Sequence, residues 1–571
     1  MSVDTEFDAV VVGSGITGGW AAKELTEHGL KVLVLERGKP LTHGGYPTEH
    51  VPPWEMPGRN LPQRALYAND YFVQRNARGF DFTTLHFWNN DRENPYVQVP
   101  GKPFNWFRTD VVGGRSLMWG RHSYRWSEMD FAANGRDGHG NDWPIRYRDV
   151  APWYSHVERF IGVSGEALGI DVLPDGEFQP PMTLNVVEQA FKTRVERRFP
   201  GRHVTIGRVA NLTEPLGERK SCHYCGPCQR GCTAGAYFSS LSSTLPAARR
   251  TGNLTLLANQ VVESLELDGA RGRVTAVRAV DTLTRERTRY RTKVVFLCAS
   301  TFASLQILLN SRSERFPGGL ANFSGTLGRF VMDHNHGQGA AGVMPGFESK
   351  YYYGNRPNTF YIPRFRNLER GKDEVEFIRG YGYQGLALPD DWTMTWHRIP
   401  GFGADYKQAL RRPGRWMLFM LGFGEVLPYA DNRVVLDSKV DRFGTPQLRF
   451  EVTYRDNERL MGLDMAQQAI AMLEAAGATD ILPFSEPFIP GTSIHEYGGA
   501  RMGRDAATSV VNEHNQCHDV PNVFVTDGAC MASSACVNPS LTFMALTARA
   551  AEYAASRLRD EGHIGTAPRS T

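Results

Sequence analysis

The sequence predicts an α/β chain in which one domain holds a parallel sheet and a second, mixed α/β domain holds an antiparallel sheet. Three observations carry this expectation. Residues 8–12 (Asp-Ala-Val-Val-Val) and 31–36 (Lys-Val-Leu-Val-Leu-Glu) are apolar, β-branched runs separated by a glycine-rich turn and a helical pattern over 20–27. Residues 293–300 form another buried strand that runs into a helix over 302–310, and a third such strand, 523–526, leads into Asp527-Gly528. Between residues 337 and 490 this pattern gives way to short aromatic-rich strands and a long amphipathic helix over 456–475.

The first turn reads Gly13-Ser14-Gly15-Ile16-Thr17-Gly18, a G-x-G-x-x-G between strand and helix, with Glu36 closing the next strand. Gly13 permits the tight turn, Gly15 lets backbone approach a pyrophosphate, and Gly18 lets the helix close on the strand. The helix N-terminus adds partial positive charge for the phosphates. Glu36 is placed to accept hydrogen bonds from ribose hydroxyls. This Rossmann-like unit predicts a bound dinucleotide without separating FAD from NAD.

Residues 40–108 are rich in Pro, Gly, Asn and aromatics and show no periodicity. A stretch this long is a lid over a site, an oligomer contact or a packed irregular cover. Gly113-Gly114-Arg115-Ser116 then opens a helix-like segment, either a turn or a backbone contact to a cofactor. Residues 143–162 read as an amphipathic surface helix. Alternation over 253–267, 274–280 and 284–291 predicts an antiparallel meander that contains Val262. Ala299 sits at the following strand-to-helix junction, where a dinucleotide fold approaches its cofactor. In the second domain, strands are expected at 351–353, 381–383, 416–421, 432–437 and 448–454. His495 lies in a glycine-rich segment near the C-terminus, and Asn538-Pro539 opens the last helix, to about residue 557, with Pro539 suited to a first helical turn.

Cys222, Cys225, Cys228 and Cys232 are spaced C-x2-C-x2-C-x3-C within eleven residues, the spacing of a ferredoxin-type iron–sulfur run. A structural zinc site usually draws on two separated knuckles or a distant His pair, and two disulfides in so short a loop would be strained. Iron–sulfur is therefore the favoured expectation, with zinc and disulfides as the competing ones. Cys298, Cys517, Cys530 and Cys536 are scattered and read as reduced core or loop residues.

Composition narrows the classes. A chain of 571 residues is long enough for two or more domains, and 41% hydrophobic with 22% charged residues is ordinary for a soluble globular protein. A net charge of +3 with no basic tract argues against nucleic acid. No apolar run approaches membrane-helix length, and the chain enters a strand at once without a signal peptide, which taken alone implies the cytoplasm.

In their order and spacing, Gly13-x-Gly15-x-x-Gly18 with Glu36, Gly113-Gly114, the 432–446 segment, the 495–503 element, Asp527-Gly528 and Asn538-Pro539 resemble the glucose-methanol-choline (GMC) flavin oxidoreductase family. The resemblance spans nearly the whole chain. The cysteine cluster ahead of Gly235-Ala236 is similar to that of the large subunits of bacterial FAD-dependent sugar and polyol dehydrogenases, of the glucose, gluconate 2- and glucoside 3-dehydrogenase type. What the resemblance implies is FAD, and a discontinuous FAD-binding domain of residues 1–150, 205–335 and 490–571 with the iron–sulfur segment 222–232 inserted. The substrate domain would then comprise 151–204 and 336–489.

The resemblance further implies that His495 is the catalytic base with Asn538 as its partner. Cofactor contacts fall to Gly13, Gly15, Gly18, Glu36, Gly113, Gly114, Ser116, Val262, Ala299, Asp527, Gly528 and Pro539. FAD is expected to be non-covalent, because Ser116, Leu117 and Met118 occupy the element where some relatives carry an attaching His, with His122 just beyond it. The implied reaction is oxidation of a sugar or glycoside secondary alcohol, first at C3 of a glycoside, with hydride transfer to flavin. Electrons would leave through a three-iron (3Fe-4S) cluster on Cys222, Cys228 and Cys232, or a four-iron (4Fe-4S) one that adds Cys225, to a cytochrome c-type acceptor. A small subunit with a twin-arginine signal would carry the chain to the periplasm. The alternatives are an oxidase with a structural metal site and a non-catalytic electron-transfer subunit.

Overall fold

The computed structural model describes residues 6–56, 61, 63–351, 354–369, 371–390, 401–411, 414–485 and 489–562. At its centre the Glu6–Val12 strand lies between Val32–Leu35 and Arg287–Leu297, parallel to both. Its side chains alternate between two cores: Val10 and Val12 face one, Ala9 and Val11 the other. Burial on both faces is why this strand reads as an unbroken apolar run. Leu254–Leu257 and Val523–Val525 extend the parallel part of a seven-stranded sheet, and Arg273–Asp281 and Gln260–Asp268 add an antiparallel flank.

Two strand boundaries differ from expectation. The strands expected at 284–291 and 293–300 are one, Arg287–Leu297, whose first half pairs antiparallel and whose second half pairs parallel. Polar Thr292 does not end it, because its hydroxyl donates to the Val294 carbonyl. Conversely, residues 253–267 are two strands, broken at Asn259, which adopts a left-handed φ of 60°. Asn tolerates that region and so turns the chain without interrupting the alternation.

The first helix spans Ile16–Glu27, starting four residues earlier than the helical pattern over 20–27. Gly18 and Gly19 belong to it, and a Cβ on Gly18 would lie 1.9 Å from the Gly13 carbonyl oxygen. The helices Ile16–Glu27 and Ser540–Asp560 pack together, and Thr301–Asn310 lies against the antiparallel flank. The helix at Tyr147–Ile161 packs on Ser540–Asp560.

A six-stranded antiparallel sheet runs in the order Thr479–Ser485, Asn335–Met344, Arg415–Gly424, Tyr381–Asp390, Phe360–Ile362, Thr205–Ile206. The helices Asp456–Ala475 and Val186–Arg198 cover it through Met461, Met465, Met472 and Phe191. Tyr351 is in no strand, and Tyr352 and Tyr353 lie outside the described residues. A five-stranded sheet links the two large ones, in the order Tyr497–Gly499, Arg329–Met332, Arg433–Val440, Pro446–Glu451, Val97–Gln98. There Met332 pairs with Tyr497, and only residues 333 and 334 separate Met332 from the Asn335–Met344 strand of the six-stranded sheet.

Candidate functional site

A long cleft opens at the carboxyl edge of the parallel strands. Three helices, Ile16–Glu27, Thr301–Asn310 and Ser540–Asp560, begin on its wall. Their free N–H groups and aligned dipoles favour negative charge there.

At one end the expected nucleotide residues meet. Gly13 has φ 96°, and a Cβ there would lie 2.5 Å from the Cys298 carbonyl oxygen. Gly15 has no neighbour closer than the Gly113 oxygen at 4.0 Å, so a ligand can approach its backbone. Buried Glu36 accepts from the Ser14 N–H at 3.0 Å, the Ser14 hydroxyl at 2.7 Å and the Gly38 N–H at 2.8 Å. Burial raises its pKa against the pull of those bonds. Gln260 and Val262 line the wall beside it, with the Gln260 N–H on the Glu36 carbonyl at 2.8 Å.

Gly113 donates its N–H to the Ser14 hydroxyl at 2.9 Å, and Gly114 packs over Gly15. Ser116 lies behind this wall, where its hydroxyl bonds the Gly113 carbonyl and meets the Ser240 hydroxyl at 3.1 Å. Gly18 and Gly113 likewise shape the turn from behind, whereas Gly13, Gly15, Glu36, Gly114, Val262, Ala299, Asp527, Gly528 and Pro539 line the cleft itself. Ala299 donates its N–H to Ser304, whose hydroxyl bonds Asp527 at 2.5 Å. Burial lifts the Asp527 carboxyl to about 6.

At the other end, His495 and Asn538 face each other, with His495 Nε2 3.4 Å from Asn538 Nδ2. Gln384 donates to Asn538 Oδ1 at 2.6 Å and so orients its amide. On the far side of the ring, His495 Nδ1 lies 2.9 Å from His334 Nδ1, and His334 Nε2 lies 2.9 Å from the Tyr497 hydroxyl. Asp333 accepts from the backbone N–H groups of Gly491, Ser493 and His495 and from the Ser493 hydroxyl. Ile494, directly before His495, holds φ 64°, an unusual backbone for a β-branched residue. The loop carrying His495 is thus fixed on both sides.

Burial, reinforced by His334, His336, Arg115 and His122 nearby, drives the His495 pKa well below its ordinary value. His495 is therefore neutral across the physiological range and carries a lone pair.

Several cleft residues were assigned no role by sequence reasoning. Arg115 makes a two-point ion pair with Glu496, at 2.9 and 2.7 Å, and also bonds Ser300. Arg121, 5% exposed, lies over the Tyr237 ring. His122 is held by Tyr124 at 3.0 Å and Thr359 at 3.3 Å, and burial depresses its pKa to about 3. From the aperiodic 40–108 stretch, Trp88, Asn89 and residues 106–108 line the cleft, so part of it covers a site. The pairing of Arg115 with Glu496 spans 381 positions and has no local signal; the glycine pair beside Arg115 was the only hint.

The cysteine loop lies against residues 43–49. The Tyr46 ring sits against Gly231, and the Thr233 N–H donates to Glu49 at 2.8 Å. All eight cysteines are free thiols; Cys225 is exposed, and Cys222, Cys228 and Cys232 are half-buried. Burial raises the Cys222 thiol to about 11, with Cys228, Cys225 and Cys232 adding to the shift, so the sulfurs sense one another. Among the described residues, no three His, Cys, Asp or Glu side chains are gathered as metal ligands.

A Gly-lined turn, a buried acid at the second strand, three helix N-termini and a neutral His beside an amide define a dinucleotide-dependent oxidoreductase. The fit to a flavin dinucleotide is supported by donors in the cleft wall that lack partners among the described residues, namely Arg121 Nε and Nη1 and Trp106 Nε1. The chain belongs to the GMC oxidoreductase family: its N-terminal family model matches residues 7–334 and its C-terminal one residues 428–547. It is accordingly an FAD-dependent enzyme.

The fructose dehydrogenase large subunit of Gluconobacter japonicus is 27% identical over 95% of this chain and 97% of its own length. The 2-methyl-1,2-propanediol dehydrogenase of Mycolicibacterium austroafricanum is 28% identical over 97% and 96%. The gluconate 2-dehydrogenase flavoprotein of Pantoea cypripedii is 25% identical over 95% and 92%. Among solved structures, a formate oxidase of Aspergillus oryzae superposes with a TM-score of 0.62 at 12% identity, covering 98% of this chain and all of that one, a likeness of fold.

Proposed function

We propose that this chain is an FAD-dependent dehydrogenase that oxidises a secondary alcohol of a sugar or glycoside, first at C3 of a glycoside. The observation that carries the reading is the His495–Asn538 pair on the cleft wall, with His495 Nε2 turned toward Asn538. His495 Nε2 takes the hydroxyl proton, and the Asn538 amide, turned by Gln384, donates to the same oxygen and sets its position. FAD bound in the cleft supplies the hydride acceptor. The named activities of the fructose and gluconate dehydrogenase relatives support a sugar or sugar-acid CH–OH donor.

His495→Ala is expected to lower turnover by about 10²- to 10⁴-fold while FAD stays bound. The test is anaerobic titration with candidate sugars, followed through flavin absorbance. Bleaching by a sugar in the parent and its loss in the variant support the reading; a variant at near-parental rate overturns it. Peroxide formed in step with sugar oxidation would instead mark an oxidase.

The four thiols of residues 222–232 are the proposed holders of an iron–sulfur cluster, a 3Fe-4S centre on Cys222, Cys228 and Cys232 with Cys225 outside it; a 4Fe-4S centre that adds Cys225 is the other form. The exposure of Cys225 supports the first form. Such a centre supplies one-electron chemistry toward a cytochrome acceptor. Iron and sulfide analysis with EPR checks this, and zinc in place of iron would overturn it. The large-subunit name of one relative supports a multi-subunit assembly. A small partner subunit with a twin-arginine signal would place the chain in the periplasm, so fractionation with and without that partner is the test. We also propose the domain division of 1–150, 205–335 and 490–571 against 151–204 and 336–489.

A further inference from the structure

Hydrogen-bond direction along the buried polar chain at the base can be followed from its far end. Gln384 donates to Asn538 Oδ1, which turns the Asn538 amide nitrogen toward His495 Nε2. A nitrogen facing an N–H donor must carry its lone pair outward, so the single ring proton of neutral His495 sits on Nδ1. That proton points at His334 Nδ1, 2.9 Å away, which must then be an acceptor. His334 in turn carries its proton on Nε2, which lies 2.9 Å from the Tyr497 hydroxyl, and the Ala535 backbone is a further hydrogen-bond partner of the ring. His334 and Tyr497 are 1% and 0% exposed, so water does not compete for these bonds.

No carboxylate serves this purpose. Asp333 is adjacent in sequence, yet its oxygens take the N–H groups of Gly491, Ser493 and His495 and the Ser493 hydroxyl. Asp333 thus holds the loop, and His334 holds the ring. The backbone of His334 is itself fixed, with its N–H on the Ser493 hydroxyl at 3.2 Å and its carbonyl under the Tyr454 hydroxyl at 2.9 Å.

We propose that His334 is a positioning residue for the reaction: as a neutral acceptor backed by Tyr497, it fixes His495 in the tautomer whose Nε2 lone pair faces the cleft. The inference rests on His495 being the base. Without an acceptor at Nδ1, the proton of His495 divides between its two nitrogens, and the fraction carrying it on Nε2 cannot take a proton from substrate. Because the second ring is neutral, the group at Nδ1 adds no counter-charge to the proton taken up at Nε2. Burial depresses the proton affinity of both rings, which favours prompt release of that proton.

The test compares His334→Leu, which offers no acceptor, with His334→Gln, whose amide oxygen can accept from Nδ1, both in the flavin-loaded full chain. We expect His334→Leu to lose about five- to tenfold in kcat with KM within about threefold, and His334→Gln to recover to within about twofold of the parent. Histidine-labelled ¹⁵N spectra give a readout independent of turnover. The His495 signals, assigned by their loss in His495→Ala, should show Nε2 unprotonated in the parent and in His334→Gln, and a mixed tautomer in His334→Leu.

A His334→Leu enzyme at parental kcat, or a Gln variant no better than the Leu variant, overturns the inference. Should His334→Leu not retain flavin, His334→Met replaces it as the variant without an acceptor of comparable strength. His495→Ala at near-parental rate would sink the base assignment itself; an inactive His495→Ala beside a fully active His334→Leu would sink only the role of His334.

Discussion

Within the cleft, two kinds of residue differ in how visible they were. Glu36 closes a unit whose glycine spacing points to it, and His495 and Asn538 were legible through the resemblance to the GMC family. His334, Arg115 and Glu496 depend on partners 161 and 381 positions away, and no periodicity reaches that far. The same distance accounts for Ser116: its segment belongs at the cleft, but the hydroxyl turns back to Ser240, 124 residues on. The Arg115–Glu496 pair gives a direct prediction. Glu496 is 1% exposed at its side chain and Arg115 29%, so removing the carboxylate strands a largely buried cation. Glu496→Ala is expected to cost about 2–3 kcal/mol, somewhat less than a fully buried pair, as read by urea unfolding. Loss below about 0.5 kcal/mol would show that solvent already satisfies Arg115.

For the elements, the strand-turn-helix at residues 6–27 was legible because each glycine meets a different steric demand. The helix start was misplaced because Gly18 and Gly19 resemble loop residues in isolation; only the packing shows that they lie in a helix pressed onto the turn. A Cβ at position 18 would sit 1.9 Å from the Gly13 carbonyl oxygen, a backbone atom that cannot rotate away. Gly18→Ala must therefore open the turn, and purified protein is expected to emerge largely free of FAD, as judged by the flavin-to-protein absorbance ratio. A fully loaded variant would mean that the turn shifts without disturbing the cleft. The merged strand Arg287–Leu297 and the split at Asn259 were not legible for the opposite reason: alternation continues through a strand break when the turning residue is a single Asn.

Across the whole molecule, buried titratable groups oppose one another. Burial depresses His122, His334 and His336 to about 3, so these three bind protons only when unfolded between about pH 6.5 and 3, and it drives His495 down in the same direction. Each contributes stability that is lost as pH falls through that window. Burial raises Asp130, Asp333 and Asp527 to about 6, so these three bind protons preferentially when folded between about pH 3.8 and 6, which has the opposite sign. Burial also lowers His43, His86 and His514 and raises Glu36 and Glu458, so among the described residues seven histidines stand against five carboxyls, and the histidine window opens at higher pH. Thermal unfolding should therefore occur at falling temperature as pH is lowered from 7 to 5, by roughly 1–2 kcal/mol per pH unit. A flat or rising profile would contradict this balance. The general plan, a nucleotide sheet beside an antiparallel one, was legible from periodicity. The linking sheet was not, because its five strands come from four separate regions and only Arg433–Val440 and Pro446–Glu451 form a hairpin.

That linking sheet bears on how the enzyme can be re-tooled. Asp333 and His334 occupy the two positions between Met332, paired to Tyr497, and the Asn335–Met344 strand of the six-stranded sheet. The support of the base and the floor of the second half therefore share one short covalent joint. A library aimed at a new substrate should spare Gln384, which orients Asn538, and leave residues 332–335 untouched. A lengthened joint would misalign the imidazole for every substrate alike.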